Sequence, residues 1–586
     1  MDITWKIGGE AGFGIMTTGL AFSKIVSRLG YQIFDYVEYP SLIRGGHNAY
    51  EVHVSHENVS HLKPEVDVLV CLNKETYTKH QSSLTKKSYV IYDEQEFTVD
   101  GDFVKINVPF KKILADLKGQ MIMKNTIALG ASLSVLGAEI DELIKILEDQ
   151  FSKKGEAIVN FNKNFANAGY DHIKNNYSKK VLKFLTKRES SPSLVMTGND
   201  AFSLGSVIAD SRFYCAYPMT PSSTILTTMA SWAEKVGLVV RHAEDEIAAI
   251  NTAIGASFTG VRASVGTSGG GFALMVESLS FAGVTEIPIV VFIAQRPGPA
   301  TGMPTWTEQG DLLFAVHAGH GEFQKIVLSA SDIEEMIEVT AEAYNLAEVY
   351  QMPVIVMSDM YLSEGHKSIT KKFIDDFITN YKVNHGKLLK EITNGKSQIT
   401  NEDQNSNNKT KNYLRYKITE DGVSPRLIPG TPGHYYQANS YEHLEDGHTT
   451  EEAQPRLNQV NKRARKWDTY LKIDFKPPKV YGDLDKAEVV FVSWGSNKGA
   501  VIEAQKQLKD KTNTAFINFT HLYPLNKKII LPFFKENKKY ILVENNSWGQ
   551  FGKLLLQETG IEIKEKILRY DGRTITPEYI IKNFKF

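Results

Sequence analysis

Residues 287–305 read IPIVVFIAQRPGPATGMPT, an apolar run that ends in Arg296 and a segment rich in proline and glycine. The run is far shorter than the roughly 20 residues of a membrane-spanning helix, so it predicts a buried strand. Further strand patterns occur at 213–218, 262–267 and 352–359, with helical patterns between them. Strands that alternate with helices predict an α/β fold.

The same alternation occurs in three parts of the 586-residue chain, which is long enough to bury several cores. We expect α/β domains at residues 1–190, 191–375 and 479–586, and a largely parallel sheet in the first of them. Residues 376–478 are predicted to be an irregular linker, because they contain many glycines and prolines and an almost purely polar insert at 399–412.

Composition excludes several classes of function. The chain carries 67 basic and 68 acidic residues, a net charge of −1, which disfavours nucleic acid and anionic membranes as main partners. The start, MDITWKIGGE, lacks the basic and apolar regions of a signal peptide, so we expect a cytoplasmic protein. The two cysteines, Cys71 and Cys215, cannot supply the usual four ligands of an iron–sulfur cluster. Any cluster would have to lie on another chain.

A glycine-rich motif, GGEAGFG, lies at residues 8–14 between a predicted strand and a predicted helix. Glycines such as Gly9, Gly12 and Gly14 would let backbone N–H groups approach a phosphate, although a tight turn without a ligand explains them equally well. The order does not match the dinucleotide pattern G-x-G-x-x-G, which disfavours a nicotinamide site. Arg44, in RGGHN, adds a cation and favours an anion such as the phosphates of CoA or a nucleotide.

Residues 217–223, YPMTPSS, follow a predicted strand directly. Two prolines fix the backbone around Thr220, and Ser222 or Ser223 could cap the next helix. Because ligands of α/β sheets bind beyond the carboxyl ends of strands, a rigidly held Thr220 hydroxyl is also a reasonable site residue.

Three acidic residues, 244–246, crowd the start of a predicted helix of small residues, IAAINTAIGAS. Acidic groups favour a helix N-terminus, and this explains most of the pattern. Glu246 leads directly into the apolar run, so we expect it to be a partly buried acid.

Two further motifs follow buried strands. Gly269, Gly270 and Gly271 either hold a phosphate or let the backbone pack closely on something flat. Arg296, at the end of the strand in 287–294, has the planar group that grips a carboxylate with two hydrogen bonds. A surface salt bridge is the alternative.

In this order the motifs resemble the 2-oxoacid:ferredoxin oxidoreductase family, in a form whose gamma part precedes its alpha part. The resemblance covers nearly the whole chain except the insert, and rests on GGEAGFG, YPMTPSS, RHAEDEIAAINTAIGAS, TSGGGFALM, QRPGPATGMPT, DGVSPRLIPG and EHLEDG. It implies a gamma-type domain on the CoA side at 1–190, a domain that binds the pyrimidine of thiamine diphosphate at 191–375, and a transketolase C-terminal-like domain at 479–586.

The resemblance also assigns roles to residues. Glu246 would protonate the aminopyrimidine ring of thiamine diphosphate, Thr220 would bind a substrate oxygen and Arg296 would pair with the substrate carboxylate. Four more residues would bind on the thiamine side, namely Tyr217, Pro218, Gly269 and Gly270. The residues on the CoA side would be Gly9, Gly12, Gly14 and Arg44. Phe13 departs from the family pattern, in which a polar residue is expected at this place in the loop.

The resemblance implies a division of labour between chains. This chain would bind no metal itself, whereas a beta subunit would carry magnesium and a [4Fe-4S] cluster. The reaction would convert a 2-oxoacid, 2-oxoglutarate first and pyruvate second, and CoA to acyl-CoA and CO2, with electrons passing to ferredoxin or flavodoxin. The alternatives are an indolepyruvate- or ketoisovalerate-type oxidoreductase, a noncatalytic assembly or regulatory protein of the same fold, and a nicotinamide-dependent dehydrogenase.

Overall fold

The computed structural model describes residues 2–41, 45–389, 413–432 and 434–584. Arg44 and the predicted insert at 399–412 lie outside the described residues. The chain divides into two compact units, each assembled from separated segments of sequence. Unit 1 comprises Met1–Thr197, Glu364–Thr379 and Thr576–Lys582, and unit 2 contains the rest.

Unit 1 is an α/β structure built on one sheet. Its strands are β1 (Ile3–Glu10), β2 (Gln32–Glu38), β3 (His47–Ser55), β4 (Val68–Cys71), β5 (Tyr89–Tyr92), β6 (Val104–Asn107), β7 (Ser193–Thr197) and β14 (His366–Thr370). Its helices are α1 (Ile15–Arg28), α2 (Lys74–His80), α3 (Phe110–Asp116), α4 (Lys124–Leu136), α5 (Asp141–Phe151), α6 (Glu156–Asn176), α14 (Lys371–Asn380) and α19 (Pro577–Asn583).

The sheet of unit 1 is mixed, so the predicted, largely parallel sheet is wrong for half of it. The strand order is β6-β5-β4-β1-β3-β2-β14-β7. The half from β1 to β6 is parallel, whereas β3 runs antiparallel to both β1 and β2, and β14 runs antiparallel to both β2 and β7. The reason is the length of the link from β2 to β3, residues 39–46, which is too short for the crossover that parallel strands need, so these two strands form an antiparallel pair.

Strands β7 and β14, which lie outside residues 1–190, complete this sheet, so the compact units divide the chain differently from the predicted domain boundaries.

Asp35, fully buried on β2, holds β14 in place beside β2. Its carboxylate accepts hydrogen bonds from the backbone N–H of His366 at 2.9 Å and from the hydroxyls of Ser23 and Tyr50 at 2.5 and 2.7 Å. A buried carboxylate satisfied in this way specifies which segment pairs with β2.

Helices α4 and α6 cross closely at two glycines. A Cβ at Gly130 would overlap the carbonyl oxygen of Ala166, and a Cβ at Gly169 would overlap that of Ile127. The two backbones therefore touch where neither helix carries a side chain.

Gly169→Ala is expected to lower the free energy of unfolding by about 1–3 kcal/mol, because backbone atoms cannot move aside as a flexible side chain can. Urea denaturation followed by circular dichroism measures this loss. Gly255→Ala in unit 2 is the matched control, because a Cβ there would meet none of the described atoms within 4 Å. Equal stability of the two variants would contradict the close crossing.

Unit 2 contains the remaining elements. Its strands are β8 (Ser211–Ala216), β9 (Val239–His242), β10 (Arg262–Thr267), β11 (Ile289–Gln295), β12 (Ile326–Ser329), β13 (Pro353–Asp359), β15 (Leu388–Leu389), β16 (Arg426–Leu427), β17 (Lys479–Tyr481), β18 (Val489–Trp494), β19 (Thr514–Phe519), β20 (His521–Tyr523), β21 (Lys539–Glu544) and β22 (Glu565–Leu568). Its helices are α7 (Gly198–Ile208), α8 (Ser223–Val236), α9 (Glu246–Phe258), α10 (Gly269–Thr285), α11 (Leu312–His317), α12 (Ile333–Tyr350), α13 (Met360–Glu364), α15 (Ala453–Ile473), α16 (Lys498–Leu508), α17 (Lys527–Ile530) and α18 (Gln550–Thr559).

Unit 2 contains two main sheets, and the α/β prediction is confirmed. The larger has the order β20-β12-β13-β11-β10-β8-β9 and is parallel except for β20. Strand β11, from the apolar run at residues 287–294, lies at its centre, and every residue of β11 is buried. The smaller sheet, β17-β19-β18-β21-β22, forms from the C-terminal residues, which also supply β20 to the larger sheet.

The predicted irregular linker contains a 21-residue helix, α15. This helix buries charged side chains, among them Lys462 and Lys466, which pair with the fully buried Glu286. The Arg415 guanidinium donates to the Glu286 carbonyl oxygen at 2.7 Å. The linker therefore folds onto the end of α10 through a buried ionic cluster.

Two motifs of the predicted linker form ion pairs with other residues of unit 2. Arg426, in DGVSPRLIPG, donates to the buried Glu348 carboxylate at 2.9 Å, as does Arg262 of β10. Glu442, in EHLEDG, accepts hydrogen bonds from Arg463 at 2.8 and 2.9 Å. Both motifs thus hold the linker in place.

Among the described helices, none combines the length and the apolar character that crossing a membrane requires.

Candidate active site

Three neighbouring parallel strands of the larger sheet end at the same edge, and each is followed by a predicted site motif. Strand β8 leads into YPMTPSS, β10 into the glycine motif of residues 269–271, and β11 into Arg296. The strands lie in the order β11-β10-β8. Their carboxyl ends form the usual ligand site of an open α/β sheet, so the three motifs lie at one edge of the sheet.

Arg296 contacts the YPMTPSS motif directly. One Nη atom of Arg296 donates to the backbone carbonyl of Thr220 at 2.7 Å. Burial lowers the pKa of the guanidinium, and Asp311 partly offsets the shift. The side chain of Thr220 is half-buried beside this contact, whereas Tyr217 and Pro218 are exposed. Arg296 is therefore held in a fixed position with further N–H groups available to a ligand.

Ser222 precedes α8 but does not cap it with its side chain. Its hydroxyl donates instead to the carbonyl of Met219 at 2.8 Å. The predicted cap is therefore replaced by a bond that stiffens the turn around Thr220.

Glu246 is the first residue of α9 and is only 3% exposed. The preceding Asp245 caps the helix, since its carboxylate accepts from the N–H of Ala248 at 2.7 Å. Oε1 of Glu246 is buried without a hydrogen-bond partner among the described residues. Because a buried carboxylate oxygen without a partner is costly, this atom marks a place for an external hydrogen-bonding group.

The glycine motif makes room for this acid. A Cβ at Gly271 would overlap the side chains of Thr267 and Glu246. Gly269 begins α10, and its backbone lies against the Asp311 carboxylate. Gly270 is exposed, and a Cβ there would make only ordinary van der Waals contacts, at 3.9 Å to the Ala300 carbonyl oxygen and 4.0 Å to Met219 Sδ.

Two acidic residues at this edge were not predicted from the sequence, Glu308 and Asp311. Burial raises the pKa of Asp311 to about 6, and the Arg296 charge opposes the shift. Burial and the nearby Asp311 raise the pKa of Glu308 to about 7. Their only sequence signal is the acidic pair in TEQGDL, 12 and 15 residues beyond Arg296. Both carboxyls change charge close to neutral pH, which is typical of functional sites.

The C-terminal residues fix the segment that carries these acids. The Gln309 N–H donates to the carbonyl of Asn545 at 2.7 Å, and its side-chain amide donates to the carbonyl of Trp494 at 3.0 Å. Asn546 donates to the Gln309 carbonyl at 2.9 Å, and Gln550 donates to the carbonyl of Gly310 at 2.6 Å. The ENNSWGQ loop thereby positions the site from a distant part of the chain.

The glycine-rich motif of unit 1 is only partly a turn. Gly8 and Gly9 belong to β1, and the turn is confined to Ala11–Gly14. The N–H of Ala11 donates to the carbonyl of Gly46 at 3.1 Å. Because β1 and β3 pair antiparallel, the turn of GGEAGFG contacts Gly46 of RGGHN, the other motif predicted to bind an anion.

Comparisons with known proteins identify the family of the chain. One family model, described as "Pyruvate ferredoxin/flavodoxin oxidoreductase", matches residues 4–172. A second, described as "Pyruvate flavodoxin/ferredoxin oxidoreductase, thiamine diP-bdg", matches residues 205–462. The 2-oxoacid:ferredoxin oxidoreductase subunit alpha of Saccharolobus solfataricus is 32% identical over 100% of this chain and 98% of its own length. The chain belongs to the 2-oxoacid:ferredoxin oxidoreductase family.

Other relatives of this oxidoreductase subunit are similarly distant. The 2-oxoglutarate synthase subunit KorA of Methanocaldococcus jannaschii is 32% identical over 60% of this chain and 90% of its own length. The 2-oxoglutarate:ferredoxin oxidoreductase of Magnetococcus marinus, solved with 2-oxoglutarate, coenzyme A and succinyl-CoA bound, has a TM-score of 0.89. It is 30% identical and covers 99% of this chain and 98% of the other. The oxidoreductase subunit is thus part of an enzyme, and its thiamine-binding match contains Thr220, Glu246 and Arg296.

Proposed function

We propose that this alpha subunit takes part in the oxidative decarboxylation of a 2-oxoacid with CoA, which yields acyl-CoA, CO2 and reduced ferredoxin. 2-Oxoglutarate is the first candidate substrate and pyruvate the second. The observation that carries the proposal is the Glu246 carboxylate, buried at the sheet edge with one oxygen unpartnered among the described residues.

The residues at the carboxyl edge of the larger sheet of unit 2 fit thiamine diphosphate. The unpartnered Oε1 of Glu246 is suited to a ring nitrogen, and the exposed backbone at Gly270, which carries no side chain, would let a flat group approach. When bound, thiamine diphosphate supplies a carbon nucleophile and stores the electron pair released on loss of CO2. Glu246 would hold a proton at that ring nitrogen, and Tyr217, Pro218 and Gly269 would border the cofactor.

The substrate carboxylate is assigned to Arg296. Its contact with the Thr220 carbonyl orients the guanidinium, so that its other N–H groups can make charge-assisted hydrogen bonds to a carboxylate. The Thr220 hydroxyl would donate to a substrate oxygen. The two residues together would place the 2-oxoacid carbonyl beside the cofactor.

We propose that a beta subunit completes the site and supplies magnesium, the diphosphate contacts and a [4Fe-4S] cluster. Ile247 on α9 and Leu274 on α10 are 50% and 51% exposed. These helices begin at the candidate site and pack on each other, with Asn251 donating to Ser278 at 3.0 Å. Large apolar side chains exposed beside a site are typical of a surface that a partner covers.

CoA is assigned to unit 1, where the paired glycine motifs lie. Gly12 and Gly14 have positive φ values of 96° and 74°, and Gly14 directly precedes α1. The positive end of the α1 dipole therefore lies at this turn, which suits phosphate. Gly9 would support the turn from β1, and Arg44 would add positive charge.

Reconstitution tests the proposed function. The chain is co-purified with its beta subunit, and viologen reduction is assayed with 2-oxoglutarate and with pyruvate, each with and without CoA. We expect CoA-dependent reduction, faster with 2-oxoglutarate. A cluster-loaded complex that reduces no viologen with any 2-oxoacid would overturn the proposal and favour a noncatalytic protein of the same fold.

Asp311 should make substrate binding depend on pH. Raising the pH through about 6 ionises Asp311, and through about 7 it ionises Glu308, so negative charge grows near Arg296. The substrate carboxylate is then repelled, and KM for the 2-oxoacid should rise roughly threefold or more between about pH 5.5 and 8.

In Asp311→Asn this rise in KM should be smaller, whereas in Glu322→Gln, an exposed acid further along the chain, it should equal that of the unaltered protein. KM values from viologen assays across this pH range provide the measurement. An identical rise in the Asp311 variant would contradict the assignment.

A further inference from the structure

The turn at residues 219–221 is held through its three consecutive backbone carbonyls. The first two accept hydrogen bonds from the side chains of Ser222 and Arg296. The third, that of Pro221, accepts a hydrogen bond from the side-chain nitrogen of Asn199 at 2.7 Å. Three side chains from separate parts of the chain therefore fix the backbone of this turn.

Asn199 is fully buried in the first turn of α7. Its Nδ2 atom makes a second hydrogen bond, also at 2.7 Å, to the hydroxyl oxygen of Thr224 in the first turn of α8. Because the carbonyl of Pro221 can only accept, the amide nitrogen must face the turn, and the orientation of the side chain is fixed. Asn199 thus ties both the turn and the start of the following helix to α7.

The other end of this amide argues against a purely structural role. Oδ1 of Asn199 is buried and has no hydrogen-bond partner among the described residues. A buried amide oxygen without a partner destabilises the fold, and an apolar side chain would avoid this cost. A polar residue that is kept at a cost to stability is typical of a functional site.

We propose that Asn199, together with Ser222, is a positioning residue that sets where the Thr220 hydroxyl meets the 2-oxoacid. The inference rests on the proposed function, in which Thr220 donates to a substrate oxygen. A hydroxyl displaced by about 1 Å loses most of a hydrogen bond whose best length is about 2.8 Å. The two side chains act through the turn and do not need to touch the substrate.

Steady-state kinetics of the complex with the beta subunit test the proposal. Asn199→Ala should raise KM for the 2-oxoacid by roughly fivefold to tenfold and leave KM for CoA unchanged. Ser222→Ala should give the same pattern with a rise of about twofold, because the Ser222 N–H still donates to the Met219 carbonyl at 2.9 Å. A merely structural loss would reduce the fraction of active molecules, so kcat would fall and neither KM would change.

The matched control is Thr228→Val. The Thr228 hydroxyl donates to Asp200 at 3.0 Å, so this substitution also removes a hydrogen bond between α7 and α8, but one that does not involve the turn. Both KM values should stay unchanged in this variant. Thermal unfolding checks that each chain is folded, and Ser222→Ala carries the test if Asn199→Ala does not fold.

A double-mutant cycle shows whether Asn199 acts through Thr220. In the Thr220→Val background the hydroxyl is absent, so adding Asn199→Ala should raise KM for the 2-oxoacid by less than about twofold further. Hydrogen exchange of the full chain alone does not depend on turnover. Asn199→Ala should speed exchange of the Ser222 N–H, whereas Thr228→Val should not.

Three results would overturn the proposal: an unchanged KM for the 2-oxoacid in the folded variants, an equal rise in KM for CoA, or full additivity of Asn199→Ala with Thr220→Val. Any of them in a complex that oxidises a 2-oxoacid leaves the proposed function standing. An unaltered complex that oxidises no 2-oxoacid would instead overturn the proposed function and, with it, the role given to the turn.

Discussion

Replacing Glu246 by glutamine in the complex with the beta subunit is expected to lower 2-oxoacid-dependent viologen reduction by roughly 100-fold or more, the usual contribution of a positioned acid or base. Glutamine keeps the shape of the side chain but cannot hold an ionisable proton at the cofactor ring. Because Asp245 makes the side-chain cap of α9, the substitution leaves the helix start intact. The assay is run at saturating 2-oxoglutarate and CoA.

The matched control is Glu244→Gln, which makes the same charge change at an exposed position two residues earlier. It should keep near-normal activity. Full activity in Glu246→Gln would contradict the role given to the buried carboxylate, and an equal loss in both variants would show that net charge rather than the buried oxygen matters. Thiamine diphosphate content, measured on both complexes, separates a loss of cofactor from a loss of chemistry.

Glu286→Gln is expected to lower the free energy of unfolding of unit 2 by about 3–5 kcal/mol, the usual cost of removing one partner of a buried ion pair. Burial lowers the pKa of Lys462 to about 7 and of Lys466 to about 8, because both ammonium groups are fully enclosed. With the carboxylate gone, their charges would have no nearby compensation. The linker helix α15 would lose its attachment to the end of α10.

Urea denaturation followed by circular dichroism measures this loss, and Glu277→Gln is the control. Glu277 is an exposed residue of the same helix, so its substitution should shift the unfolding midpoint little. An unchanged midpoint in Glu286→Gln would show that the cluster does not hold the linker.

The candidate site could be predicted largely from sequence because its parts follow a simple rule. Thr220, the glycines at 269–271 and Arg296 each come directly after a buried strand, and parallel strands end at a common edge. Glu246 was predictable for a different reason, since an acid leading into a helix of small residues is poorly suited to the surface.

Glu308 and Asp311 could not be predicted in the same way. They lie in a loop whose course is set by hydrogen bonds to Asn545, Asn546 and Gln550, more than 230 residues away. Local sequence contains no information about such a contact. Their pKa values are raised by burial, which arises only when this loop packs in place, and the Arg296 charge opposes the shift at Asp311.

Helix α15 could not be predicted from hydrophobic periodicity, because the residues that it buries are polar or charged. Its buried face includes Gln459, Lys462, Arg463 and Lys466, so the apolar stripe by which a helix is usually found in sequence is missing. These side chains become suited to the interior only beside Glu286 and Glu442, which come from elsewhere in the chain.

The sequence by itself determined the α/β class, the buried strand β11 and the family. Apolar runs and the motifs that follow strands depend only on residues adjacent in sequence. Tertiary structure alone decided that strands from beyond residue 190 complete the first sheet, and that charged residues of the linker lie inside unit 2. Strand partners and buried ion pairs depend on groups far apart in sequence. The free energy of their interaction arises only when folding brings these groups together.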